Sequence, residues 1–212
     1  MAAGQRVKFE DLVARARRLT ESGERKLLGI GGAPGSGKST LARRLVEAMD
    51  GEAALVEMDG FHLAHSELKR MRIVERKGAP DTFDIPGYVD LLGRLKASGP
   101  DIIYAPEFRR EIEDPVAGAV PVRPETPLVV TEGNYLLLNY DKWKRVRIVL
   151  DEAWFLMIDE DLRVQRLIER HLRYGRTQAE AEERVLHGTD HVNALMVNAS
   201  KSSADVVITE VL

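Results

Sequence analysis

Five short apolar runs recur along the chain, each bounded by polar or turn-forming residues. They lie at 27–31, 53–58, 127–131, 154–158 and 205–208. Runs that are apolar at nearly every position, rather than at every second one, favour strands buried on both faces. Such strands belong in the middle of a sheet that other elements cover on each side.

Between these runs, apolar residues recur at the three- and four-residue spacing of amphipathic helices. The first such pattern is Phe9, Leu12, Val13, Ala16 and Leu19. Others cover 41–49, 85–96, about 161–174 and about 178–198. We expect the first helix to pack against the sheet. Strands alternating with helices predict an α/β fold in three layers, a parallel sheet with helices on both faces.

The segment from about 101 to 124 breaks this alternation. Two short apolar runs, 102–104 and 116–122, are interrupted and flanked by prolines at 106, 115, 121 and 124. Because proline is confined to strand edges and turns, the segment predicts a small hairpin set apart from the core. We therefore expect one domain, 1–212, that carries an insert at about 101–124.

Composition narrows the class of protein. The chain has 212 residues, 44% hydrophobic and 31% charged, which suits one globular domain. A net charge of −3 argues against a nucleic-acid partner, and the lack of cysteine excludes disulfides and thiolate chemistry. No apolar run is long enough to cross a bilayer, and no signal peptide is recognisable. We expect a cytoplasmic protein without a membrane partner.

A phosphate-binding P-loop, G-x-x-x-x-G-K-[ST], follows the first strand and opens a helix. Its glycines let successive backbone N–H groups turn toward one anion, and the helix adds its positive dipole end. Lys38 is placed to meet the β- and γ-phosphates, and the Ser39 hydroxyl to bind Mg²⁺. The predicted nucleotide-binding residues are Gly32, Ala33, Pro34, Gly35, Ser36, Gly37, Lys38, Ser39 and the following Thr40.

Two acids stand at the ends of later strands. Asp59 follows the strand at 53–58, and Glu132 ends the strand that begins at 127. Ligands of open parallel sheets bind beyond the carboxyl ends of the strands, so the P-loop, Asp59 and Glu132 converge if their strands are adjacent. One carboxylate would help Ser39 to hold Mg²⁺, and the other could accept a proton. Each acid could instead be only a turn residue.

An arginine-rich helix begins near 161. Arg163, Arg166, Arg170 and Arg173 follow each other at spacings of three, four and three, so they share a face. A solvated basic face is the simpler interpretation. The alternative is a lid at about 161–176 that lowers arginines onto the phosphates and excludes water.

Four segments together resemble the superfamily of uridine kinase, pantothenate kinase and phosphoribulokinase. They are Gly32–Ser39, Met58–His62, Lys77–Asp84 and Thr131–Tyr135. The arginine helix and residues 204–208 fit as well, so the likeness covers nearly the whole chain. It is strongest to small bacterial members described as nucleoside-kinase-like or fructose-transport-system kinases. The resemblance implies the P-loop NTPase fold with a helical lid, and ATP and Mg²⁺ as cofactors.

The resemblance also implies roles for single residues. Asp59 matches the base that activates the acceptor hydroxyl, with its strand expected beside the P-loop strand, and Glu132 matches the acid at the metal. The residues expected to assist catalysis are Lys38, Arg166 and Arg170, with Arg173 as a further lid arginine on the nucleotide. The residues expected to touch the acceptor are Asp59, Phe83, Asp84, Tyr104, Arg109 and Glu132.

The sequence does not decide the identity of the phosphate acceptor. Residues 104–110 lack the Tyr-Asp-Phe stretch and following histidine of uridine kinases, and pantothenate kinases are usually longer. Arg109 and Arg110 could meet an anionic acceptor or could be exposed edge charges that guard the hairpin. We expect a small-molecule acceptor of the sugar type, fructose-like, with uridine, cytidine or pantothenate as the alternatives. Self-association into a homodimer is also left open.

Two other classes of function compete. A GTPase switch is disfavoured because no Asn-Lys-x-Asp segment occurs, although residues 84–87 read D-x-x-G. A regulatory module that binds ATP without transferring phosphate would not need Asp59 at a strand end. The histidines show no metal-binding spacing and are predicted to lie at the surface; they are His62, His65, His171, His187 and His191.

Overall fold

The centre of the molecule is a parallel sheet of six strands, as predicted. The computed structural model describes residues 4–212. The strands of the chain are β1 (Gln5–Val7), β2 (Lys26–Gly31), β3 (Ala53–Glu57), β4 (Ile103–Arg109), β5 (Asp114–Val122), β6 (Leu128–Gly133), β7 (Glu152–Leu156) and β8 (Val206–Val211). The order across the main sheet is β1-β8-β7-β2-β6-β3, and every neighbouring pair is parallel.

Helices cover both faces of this sheet. They are α1 (Phe9–Thr20), α2 (Lys38–Ala48), α3 (His65–Met71), α4 (Ile85–Ala97), α5 (Lys144–Val149), α6 (Glu160–Arg173), α7 (Gln178–Leu186) and α8 (Thr189–Ala199). Short 3₁₀ turns lie at 58–61, 74–76, 80–82, 141–143 and 200–203. The predicted α/β fold in three layers is confirmed.

Neighbouring residues of each central strand point into opposite layers. Leu27 packs into the core that α4, α5 and α8 cover, whereas Leu28 packs into the core under α1 and α2. Ala153 and Trp154 divide in the same way. This is why the strands are apolar at consecutive positions. The predicted packing of α1 is also confirmed.

The structure differs from the prediction in three elements. The helix expected at about 178–198 is two helices, because Gly188 leaves the helical conformation and α8 begins anew after it. Helix α5 and strand β1 were not predicted. Strand β1 has only three residues and is largely exposed at the sheet edge, so it lacks the apolar run that marks the other strands.

The insert forms an antiparallel hairpin of β4 and β5. It is a separate two-stranded sheet, but the expectation that it sits apart from the core is wrong. Its base is buried in the core through Ile103, Ala105 and Val122. A side chain at Gly60 would collide with the Pro106 carbonyl, so the glycine after Asp59 lets the hairpin backbone lie against the end of β3.

None of the helices in residues 4–212 combines the length and the apolar character needed to cross a membrane.

Candidate active site

Three adjacent strands bring the predicted groups to one edge of the sheet. The P-loop follows β2, Glu132 lies near the end of β6, and Asp59 follows β3. The expectation that the Asp59 strand lies beside the P-loop strand is wrong, because β6 pairs with both and separates them. Glu132 is therefore the carboxylate next to the P-loop, and Asp59 lies one strand further out.

The P-loop has the shape of an anion cradle. Gly35 and Gly37 have φ angles of 86° and 92°, in the left-handed region that side chains disfavour. Within residues 4–212, the N–H groups of Gly35, Gly37, Lys38 and Ser39 have no hydrogen-bond acceptor. The buried Ser36 Oγ also has no hydrogen-bond partner among residues 4–212. Unpaired donors are rare inside proteins, and here they suit a bound phosphate.

Lys38 lies at the first position of α2 with 9% of its surface exposed. Burial lowers the pKa of the Lys38 amine, while the carboxylates of Glu132 and Asp59 favour its charged form. No salt bridge engages Lys38 among the described residues. A buried ammonium group facing two acids can bind a polyanion that enters between them.

Ser39 and Glu132 are in direct contact. The Ser39 hydroxyl donates to Glu132 Oε1 at 2.7 Å. Burial raises the pKa of the Glu132 carboxyl to about 7, the nearby Asp59 acts in the same direction, and Lys38 opposes the shift. No group of three acidic or histidine side chains in the described chain could hold a metal alone. A hydroxyl and one carboxylate suit Mg²⁺, which takes its remaining ligands from phosphates and water.

Asp59 stands in a different environment. It lies in the 3₁₀ turn after β3, with about a third of its side chain exposed. Arg110, at the tip of the hairpin, approaches it with 3.9 Å between Nη2 and Oδ2. The same guanidinium lies over the ring of Tyr174, 5.7 Å from its centre. Arg110 thus connects the hairpin, Asp59 and the end of α6 across the mouth of the cleft.

An aromatic wall lines the cleft beside Asp59. The His62 ring lies between Phe83, 4.0 Å away, and Phe108, 4.8 Å away, measured between ring centres. Burial lowers the pKa of His62, although Asp59 favours its protonated form. The prediction that His62 is a surface histidine is therefore wrong. Lys77 lies over Phe108 and donates to the Glu113 carbonyl.

Helix α6 lies over the P-loop. Arg166 Nη1 is 3.6 Å from the position that a Cβ on Gly37 would take, so this arginine borders the cradle. Arg170 lines the cleft, and burial lowers its pKa. Arg173 does not line the cleft; it lies ten residues after Arg163, roughly 15 Å along the helix axis. Its contact with the nucleotide stays a prediction.

Three residues expected to touch the acceptor do not line the cleft. Tyr104 is 56% exposed, and neither it nor Arg109 lines the cleft. Successive side chains of a strand point to opposite faces, so the hairpin turns Phe108 inward and Arg109 outward, and the following Arg110 faces Asp59. Asp84 caps α4 by accepting from the Gly87 N–H at 3.0 Å. Phe83, in contrast, lines the cleft as expected.

A polar cluster on the far wall was missed by sequence reasoning. His171 Nε2 lies 2.6 Å from Asp190 Oδ2, and Arg184 Nε lies 3.5 Å from the same oxygen. This places His171, expected at the surface, in the cleft wall.

Asn134 is a further residue of the cleft, and its buried Oδ1 atom has no hydrogen-bond partner within the described residues. Its position two residues after Glu132 is the one sequence signal that could have identified Asn134 as a residue of the site.

Together these groups surround one cleft of about 750 Å³, large enough for a nucleotide and a small acceptor. The P-loop and Ser39 form one end. Asp59, the aromatic wall and the hairpin tip form the other, and the end of α6 with the polar cluster forms the roof. This fold and this site define a P-loop kinase.

Comparison with known proteins agrees with this class. The model of the phosphoribulokinase/uridine kinase family matches residues 27–212, and the chain belongs to this family. A protein of Schizosaccharomyces pombe provisionally named a uridine kinase is 33% identical over 213 residues, covering 95% of this chain and 90% of the relative. The chain is thus an ATP-dependent kinase, which is a phosphotransferase.

Two crystal structures resemble the whole chain. One, from Silicibacter sp. TM1040, is provisionally described as a fructose transport system kinase; it is 32% identical with a TM-score of 0.84, covering 95% of this chain and 98% of that one. The other is YFH7 from Saccharomyces cerevisiae, with a TM-score of 0.82, covering 96% and 98%. At 20% identity the second likeness concerns the fold alone.

Proposed function

We propose that this protein transfers the γ-phosphoryl group of ATP to a hydroxyl group of a small metabolite of the sugar type. The observation that carries the proposal is the convergence in one cleft of unpaired P-loop N–H groups, Lys38, the Ser39–Glu132 pair and Asp59. Phosphoryl transfer needs positioning, charge neutralisation and an oriented nucleophile, and these groups can supply all three.

The P-loop end would hold the nucleotide. The free N–H groups and Lys38 bind the β- and γ-phosphates, and Arg166 and Arg170 meet the charge that spreads over the transferred group. Ser39 and Glu132 would hold Mg²⁺, which neutralises phosphate charge when it is bound. Because the Ser39 hydroxyl donates to Glu132, the two side chains lie close enough to bind the same ion.

The other end would hold the acceptor. Asp59 accepts the proton of the attacking hydroxyl and keeps its oxygen directed toward the γ-phosphate. Arg110 lies 3.9 Å from this carboxylate, too close for an atom to fit between the two groups, so the guanidinium would shift as the acceptor hydroxyl reaches Asp59. The rings of Phe83, His62 and Phe108 give the acceptor an apolar face next to charged groups.

The sugar-type acceptor is the finer part of the proposal. It is supported by the 32% identity to the structure provisionally described as a fructose transport system kinase. Uridine or cytidine is the alternative suggested by the name of the Schizosaccharomyces pombe relative. Pantothenate is a further alternative, since a cleft with Lys77 and Arg110 could also take a carboxylate.

An acceptor screen with purified protein tests the proposal. ADP release from Mg·ATP would be followed with fructose and other sugars, uridine, cytidine and pantothenate, and the Asp59→Asn variant serves as the control. We expect one class to raise ADP release in the wild type and not in the variant. ATP binding without acceptor-dependent release for every class would instead favour a regulatory ATP-binding module.

A further inference from the structure

The first half of α6 is attached to the P-loop by a buried arginine. Only 2% of Arg163 is exposed. Its Nη1 donates to the Pro34 carbonyl at 3.0 Å, while Nε and Nη2 donate to the two carboxylate oxygens of Glu160 at 2.8 and 2.6 Å. Glu160 balances the charge, and the planar guanidinium is fixed in direction by both partners.

This contact orients one peptide group of the P-loop. The described chain contains no cis peptide, so the Pro34–Gly35 bond is trans, and its C=O and N–H point in opposite directions. With the Pro34 carbonyl directed at Arg163, the Gly35 N–H is directed away from α6. That N–H has no acceptor in residues 4–212, as described above. The hydrogen bond from Arg163 therefore presents a free donor on the opposite side of the loop.

Backbone packing supports the same arrangement. A Cβ on Gly35 would lie 2.9 Å from the Arg163 carbonyl oxygen and 3.5 Å from Cβ of Leu167, so the loop and the helix are in close contact. Leu167 is fully buried. The first two turns of α6 are thus fixed on the loop, and only the part from Arg170 onward extends over the cleft.

We propose that Arg163 is a positioning residue that shapes the P-loop for phosphate before nucleotide arrives. It does not line the cleft, since Pro34 and Glu160 hold its guanidinium; it fixes the Pro34–Gly35 peptide and, through α6, the place of Arg166 beside Gly37. The proposal rests on the proposed function, since it requires that the P-loop binds a triphosphate. Preorganised donors bind an anion without the cost of reorienting them.

The test compares the dissociation constant for Mg·ATP in the wild type, Arg163→Met and Arg163→Lys, measured well below each melting temperature. Methionine keeps much of the side-chain length but donates to nothing, and lysine keeps the charge but cannot bond Glu160 and Pro34 as a planar fork. We expect roughly 10- to 100-fold weaker binding for Arg163→Met, and a smaller loss for Arg163→Lys. Within 32–37, exchange of the Ser36 N–H, which donates to the Ala33 carbonyl at 3.0 Å, should be faster in both.

Arg25→Met is the matched control. Arg25 is also buried, 7% exposed, and donates to backbone carbonyls, among them those of Thr126 and Leu95. It precedes β2, whereas the P-loop follows β2, so its loss removes a similar buried guanidinium at the opposite edge of the sheet. We expect Arg25→Met to lower the melting temperature while leaving the dissociation constant for Mg·ATP unchanged.

Each outcome bears on a different claim. If the wild type does not bind Mg·ATP, the proposed function itself fails. If it binds and both Arg163 variants bind equally well, the positioning role is overturned. A loss in Arg25→Met as large as in Arg163→Met also overturns it, since the cause is then general destabilisation. If Arg163→Met does not fold, the dissociation constant of Arg163→Lys for Mg·ATP and its hydrogen exchange at 32–37 test the positioning role instead.

Discussion

Two carboxylates in the cleft differ in their surroundings, and this difference suits the separate roles proposed for them. Glu132 is buried near Lys38 and accepts a hydrogen bond from Ser39, which suits the proposed phosphate and metal end. Asp59 is more exposed and faces Arg110 and the aromatic wall. Environments that treat two acids differently are the usual basis for dividing metal binding from proton transfer.

The role of Asp59 leads to a prediction at this scale. Asparagine keeps the size and the hydrogen bonding of Asp59 but cannot take a proton. With an acceptor from the screen, Asp59→Asn should lower kcat by roughly 10²- to 10⁴-fold, the range for a positioned acid or base. The dissociation constant for Mg·ATP should change little. A loss confined to Mg·ATP binding would move Asp59 to the metal, and full activity would exclude it as the base.

Single residues also show where sequence reasoning reached its limit. Phe83 was expected at the acceptor and lines the cleft, whereas Tyr104 and Arg109 do not. Phe108 and Arg110, on either side of Arg109, line the cleft instead. A shift of one residue exchanges the two faces of a strand, and the register of a short hairpin is set by its pairing and its seat on Gly60.

At the scale of elements, the hairpin and α6 extend over the cleft from two sides. Arg110 from the hairpin tip meets Tyr174, just past the end of α6. The predicted lid at 161–176 is thus composed of two parts, since Arg163 and Leu167 hold the first turns on the P-loop. Any closing movement is left to the part that begins near Arg170.

Hydrogen exchange can separate these two parts. With Mg·ATP and acceptor together, residues 170–176 should gain protection, because closing arginines onto the triphosphate orders this stretch. Residues 161–167 should change little, since their packing on the loop exists without ligand. Helix α1, none of whose residues lines the cleft, is the internal control. Equal exchange at 170–176 with and without ligands would mean that α6 has a solvated basic face and is no lid.

For the whole molecule, the sheet order brings distant residues to one place. The P-loop, Asp59, Glu132 and Arg170 are separated by tens of residues, yet strands β2, β6 and β3 and helix α6 place all four at one cleft. A ligand that joins these elements should stabilise the entire domain, because it binds the folded state alone.

Thermal unfolding measures that stabilisation. At about 100 times its dissociation constant, Mg·ATP should stabilise the fold by about 2.7 kcal/mol. For a domain of this size that corresponds to a rise in Tm of roughly 5–11 °C. Lys38→Ala, compared with its own ligand-free Tm, should lose most of the rise. Adenosine, which lacks phosphates, should produce little. An equal rise in Lys38→Ala would contradict phosphate binding at the P-loop.

The sequence by itself determined the features that are local in the chain. The P-loop at 32–39, the apolar strands and the amphipathic helices could be predicted because contiguous residues define them. Their patterns depend on backbone geometry and periodicity alone, and the α/β class follows from their alternation.

Tertiary structure alone decided which of these features meet. It placed β6 between β2 and β3, so that Glu132 and not Asp59 stands beside the P-loop. It brought Arg163 to the Pro34 carbonyl across 129 positions and placed the half-buried His62 between two rings. Contacts of this kind depend on strand order, hairpin register and helix docking, which result from packing across the whole molecule and leave no pattern among neighbouring residues.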